Sequence, residues 1–180
     1  MGFFNKLFGI KDREPDGVTG LELLSLCMKD VTDKLVEHFS GDEYNWSANR
    51  GEKIFECLVL SKFLLDHALL TTYAHKIHED RIKLRLQIVD VAFNATLEST
   101  LSRTGLKAEE LKDCINHKLV QYSDALDKHP HPRCWVVVAS ICTGIDHYEN
   151  ANLYAITVGS TVLAGLLAFG QDTLKLMWAK

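Results

Sequence analysis

Apolar residues recur every three to four positions along most of this chain, the spacing of helices with one buried face. Leu21, Leu24, Met28, Val31 and Leu35 form the first stripe and predict a helix over Thr19–Phe39, with Glu22, Lys29, Asp33 and Glu37 mostly off it. Thr19 followed three residues later by Glu22 reads as a capping box. A polar loop over 40–50, containing Trp46, leads to a second helix over Ser47–His78. Its apolar residues do not keep to one side. Ile54, Leu58, Leu65 and Leu69 share one face, and Val59, Phe63, Leu70 and Ala74 lie roughly opposite. A helix apolar nearly all round is an interior one or meets two partners.

The third helix is predicted over Asp80–Arg103, with a polar stripe of Lys83, Gln87, Asp90, Asn94 and Glu98 and an apolar one of Leu84, Ile88, Val91 and Ala95. Residues 81–88 alternate apolar and polar as a strand does, but the pattern continues to Glu98 without turn residues, which favours helix. Thr104 and Gly105 end it. A fourth helix is predicted over Lys107–Lys128, with Leu111, Cys114, Ile115, Leu119, Tyr122 and Leu126 inward. The prolines at 130 and 132 break the chain, and Pro132 suits the first turn of a fifth helix running to His147. A sixth begins at Asn152. With no glycine between Gly51 and Gly105, the chain reads as an all-α bundle of five to six helices behind a short amphipathic N-terminal arm. The division is an arm and turn over 1–18 and a single helical domain over 19–180, with helices two and six the most buried.

The arm carries Phe3, Phe4, Leu7 and Phe8 at helical spacing, with Lys6 and Lys11 among them. Each side chain would gain roughly 1.5–3 kcal/mol on burial, so they fold back, pack on a partner or dip weakly into a membrane surface. Between Asn150 and Gln171 there is no charge, a length that could cross a bilayer. Asn152, Thr157, Ser160 and Thr161 dilute it, and a central helix of a soluble bundle is preferred over a membrane span.

Composition adds exclusions. A net charge of −4 with intermixed signs gives no basic stripe for nucleic acid. Five cysteines, an odd number without CxxC spacing, read as buried free thiols of a reducing compartment. The start lacks a secretory signal, and Lys6 stands where a myristoylation motif wants Ser or Thr. The expected location is cytoplasmic, with membrane association open through the arm.

Candidate chemistry is sparse. His75 and His78, one turn apart on the second helix, could share a metal, but two histidines make an incomplete site. Glu56, Lys62, Asp66 and His67 are the polar residues of the greasy second helix, and Arg85 points among the apolar residues of the third. In a hairpin of these helices Asp66 or Glu56 would meet Arg85, either as an ion pair fixing register or as a polar pocket with Asp66 and His67 as acid and base. Asp113 with His117, and His129 with His131, are weaker pairs, and Cys142 stands one turn before Asp146 and His147. No phosphate-binding loop and no cofactor motif occurs, so no cofactor is expected. The leading expectation is a non-catalytic module for protein interaction or self-association through surplus apolar surface on helix two (Phe63) and the arm. The alternatives are a metal-binding protein or hydrolase using Asp66, His67, His75 and His78, and a peripheral or tail-anchored membrane protein.

Overall fold

A computed structural model describes residues 17–41, 46–102, 108–144 and 153–178, with side chains except at 17–19, 108 and 153–160. Among the described residues there are six α-helices, one 3-10 turn and no strand: α1 (Gly17–Phe39), α2 (Arg50–Tyr73), α3 (Glu79–Leu101), a 3-10 turn (Ala108–Leu111), α4 (Lys112–Lys128), α5 (Arg133–Thr143) and α6 (Leu153–Met177). The arm residues lie outside the described part.

Local chemistry sets the helix ends. Asn49 starts α2: its Oδ1 accepts from the Glu52 amide at 3.0 Å, while its own amide donates to Glu52 Oε2 at 2.9 Å. Such a cap is worth about 1 kcal/mol. The helix therefore begins three residues later than the pattern predicts. It also stops earlier, at Tyr73, where the carbonyl accepts from the amides of Lys76 and Ile77 in a turn. His78 belongs to the next helix, capping α3 by accepting from the Asp80 amide through Nδ1. Residues 81–88 are helical, as the longer pattern requires. Thr19 sits inside the first turn of α1 and is not its cap. Helix α5 ends at Gly144 (φ 68°), a left-handed position that glycine adopts without strain, so it falls short of His147.

The core is built around α2. Every residue from Cys57 to Leu65 is buried, and α2 packs against each of the other α-helices. Over Cys57–Leu65 both apolar faces are covered from within the bundle, while Leu70 and Ala74 beyond them are exposed. Leu24, Met28, Val31 and Leu35 of α1 cover one flank, and Ile115, Tyr122, Trp135 and Val138 of α4 and α5 cover another. Gly170 lets α6 approach α2 closely: a Cβ there would meet Leu65 Cδ2 at 3.2 Å and Ala68 Cβ at 3.5 Å.

Two expectations are corrected. Over 161–178, where its side chains are described, helix α6 is not a central helix. Leu163, Leu166, Gly170, Thr173, Leu174 and Met177 are buried, while Thr161, Ala164, Gly165, Ala168, Asp172, Lys175 and Leu176 are exposed. That is one apolar face laid against the bundle. Among the described residues no helix is long and apolar enough to cross a membrane. Phe63 is not a surface contact. It is buried beside Tyr122, with ring centres 5.3 Å apart, because α2 is enclosed on that side by α4.

Candidate functional site

The polar residues of α2 are dispersed to different neighbours, because adjacent positions on a helix point about 100° apart. Lys62 faces α3. Its ammonium lies 2.5 Å from Asp66 Oδ2 and 2.7 Å from Asp90 Oδ1, with its side chain only 10% exposed. Burial pulls this ammonium down, and the two carboxylates more than offset it, holding it above its ordinary value. Burial pushes the Asp66 carboxyl up, Lys62 draws it back, and Asp90 adds to the rise. Asp66 Oδ1 is buried without a hydrogen bond. The group is an ion triad tying α2 to α3.

His67 points away from Asp66. It stacks on Phe63 and meets the edge of Trp135, both at 6.1 Å, and burial lowers its pKa despite Asp127. Asp66 and His67 are therefore not brought together as acid and base.

Glu56 turns to α4, where Lys118 approaches Oε2 to 2.7 Å and also donates to the Ile141 carbonyl at 3.4 Å. Burial raises the Glu56 carboxyl, and Lys118 lowers it in part. Close by, Tyr122 is fully buried, and the thiols of Cys142 and Cys57 are its neighbours. Burial pushes the phenol up.

Arg85 meets neither Asp66 nor Glu56. Its guanidinium lies between two rings, 4.4 Å from the centre of Tyr73 and 4.7 Å from that of Trp178. The expected ion pair does not form: Lys62 pairs with Asp66, Lys118 pairs with Glu56, and the end of α6 supplies Arg85 with an aromatic clamp. Tyr73 completes it by donating its hydroxyl to the Leu174 carbonyl at 3.1 Å.

His75 and His78 are both exposed in the α2–α3 connection, so they no longer share a helical face. No group of three or more metal-ligating side chains occurs among the described residues. Asp113, His117 and His131 are exposed, and residues 146 and 147 lie outside the described part. His129 borders a shallow open groove of about 180 Å³ between α4 and α5, with Gln121, Asp124, Lys128, Val137 and Ile141.

The feature that sequence reasoning placed wrongly is on α3. Its buried face is Ile82, Val89, Phe93 and Leu97, with Leu86 half-buried. The stripe of Leu84, Ile88, Val91 and Ala95 lies on the opposite side. Leu84 is 57% exposed and Val91 53%; Ala95 is exposed, and Ile88 is half-buried, packing in part against the core. Among the described residues the other large exposed apolar ones, Leu26, Leu70, Val120 and Leu176, fall one each on α1, α2, α4 and α6. Single residues of that kind are ordinary, whereas an aligned row is not. Two opposed apolar faces on one helix were the available signal. Comparison with protein-family models, curated proteins and solved structures gives no match.

Proposed function

We propose that this chain is a non-catalytic interaction module that receives an apolar helix along the outer face of α3. The observation that carries the reading is the row Leu84, Ile88, Val91, Ala95, which runs along about 16 Å of helix at 1.5 Å per residue. Spacings of four, three and four are those of a helix-packing seam. Burying a whole Leu or Val side chain contributes roughly 1.5–3 kcal/mol, so covering these half-exposed ones favours association without a dedicated pocket. The seating beneath the helix supports the same reading. Ile82, Val89, Phe93 and Leu97 bury the inner face of α3 in the core, and Lys62 of α2 reaches Asp90, so the outer face is presented in one orientation.

A photo-crosslinking amino acid at Val91, compared with one at exposed Asn116 on α4, tests this in the cells that make the protein. A discrete protein adduct at 91 and not at 116 is expected. No adduct at 91, or the same adducts at both positions, overturns the reading.

A further inference from the structure

We infer that the occupant of the α3 seam is a second copy of this chain, packed antiparallel about a twofold axis between Ile88 and Val91. The inference rests on the interaction reading and names its partner. Four observations carry it.

The seam reads Arg81, Leu84, Ile88, Val91, Ala95, Glu98, alternating by three and four. Turned end for end, it meets itself in register. Ile88 falls opposite Val91, Leu84 opposite the small Ala95, and Arg81 opposite Glu98, each pairing occurring twice as an isologous contact requires. Large against small lets two helices interdigitate.

Other arrangements are worse. A parallel pair sets Arg81 against Arg81 and Glu98 against Glu98. A slip of seven residues in the antiparallel pair brings Arg81 onto Val91, or Glu98 onto Ile88. Both slips bury a charge against an apolar side chain.

The two charges are also misplaced for an isolated helix. Arg81 is in the first turn of α3 and Glu98 in the last, where the helix dipole favours the opposite signs. Both are exposed, and among the described residues neither makes a side-chain ion pair. A partner that reverses the helix gives each an opposite charge.

Finally, the seam is narrow. Four apolar positions per copy cover less than the roughly 800 Å² per partner of a standard stable interface, which points to a weak dimer of micromolar or higher dissociation constant.

Sedimentation velocity of the full chain over roughly 1–500 µM tests the pairing, with R81E, E98R and their equimolar mixture alongside. Each single variant puts like charges together at both ends of its own dimer, and should associate at least about tenfold more weakly than the wild type. When an R81E chain meets an E98R chain, the two introduced side chains face each other with opposite charges at one end. The native Glu98 and Arg81 face each other at the other end. The mixture should therefore associate at least as well as the wild type. Both substitutions suit the helix dipole, so loss of α3 cannot mimic the result. A mixture no tighter than its components, or single variants equal to the wild type, overturns the pairing. A wild-type monomer across the range overturns it too. If that monomer dimerises once Phe3, Phe4, Leu7 and Phe8 are changed to Ser in the full chain, the arm is the native occupant. A monomer whose Val91 crosslinks to a different protein overturns self-pairing and leaves the interaction reading standing. Absence of any Val91 adduct ends both.

Discussion

Replacing Lys62 with Met removes the cation that Asp66 and Asp90 share, and the size of the effect follows from their burial. The Lys62, Asp66 and Asp90 side chains are 10%, 21% and 51% exposed. Water screens Asp90, so its lost contact contributes little. Asp66 is the costly partner, with one carboxylate oxygen buried and unbonded even in the native protein. Breaking a buried pair by removing one member costs roughly 3–5 kcal/mol. Met retains much of the Lys62 stem beside Phe93, which places K62M near the lower end, about 3 kcal/mol at pH 7. In a chain of this size that lowers the melting midpoint by roughly 6–12 °C.

The pH dependence is the sharper signature. Burial already holds the Asp66 carboxyl above its ordinary value, and Lys62 opposes that rise. Without Lys62 the folded carboxyl rises further. A group whose folded pKa is raised stabilises the protein fully below its unfolded value and loses that contribution as pH climbs through the folded value. The K62M deficit therefore shrinks on acidification below pH 7, by at most about 1.4 kcal/mol per pH unit while the folded state holds the extra proton. Urea unfolding followed by far-ultraviolet circular dichroism at about pH 7.5 and pH 5 measures it. Adding D66N should recover at least half of the loss at the higher pH and flatten the pH dependence. An equal K62M deficit at both pH values, or a D66N change that deepens it, refutes the reasoning.

Arg85→Ala removes the cation held between Tyr73 and Trp178 and should cost about 1 kcal/mol, with tryptophan emission moving to longer wavelength as Trp178 loosens. Unchanged emission and melting would contradict the clamp. Gly170→Val forces branches into Leu65 and Ala68 and should destabilise by roughly 1–3 kcal/mol in thermal melts, with Gly170→Ala milder; a valine variant as stable as the wild type would mean α6 does not lie so close to α2. Of the five cysteines Cys114 is exposed and the other four are buried, so an aromatic disulfide reagent should titrate one thiol in the native chain and five after unfolding. Burial pushes Cys27 up to about 12, so moderate alkalinity should not make that thiol reactive in the native chain.

Helix type was legible in the sequence because long amphipathic runs leave few alternatives. The stripe Leu24–Met28–Val31–Leu35 and the all-round burial of α2 followed from period alone. Helix ends were harder, since Asn49 and Gly144 act through cap geometry that periodicity does not encode. The candidate site was legible in its residues and not in its pairings. Lys62, Glu56 and Arg85 announced buried charge, but their partners Asp90, Lys118 and Trp178 come from α3, α4 and α6, and a one-dimensional pattern carries no such long-range choice. On α3 the pattern misled, because two apolar faces compete and only the packing of α1 and α2 decides which turns inward.

Tertiary closure also sets an order of events. Cys27 donates to Thr173 Oγ1 across 146 residues, and Gly20 lies against Met177. At a synthesis rate of roughly 5–20 residues per second, α1 emerges on the order of ten seconds before the turn of α6 that covers it. Through that interval the Cys27 side of the first helix has no cover, whatever α2 and α3 have already assembled. Helix α6 is what seals α1, so the nascent chain carries an apolar strip along α1 until the final turns of α6 arrive.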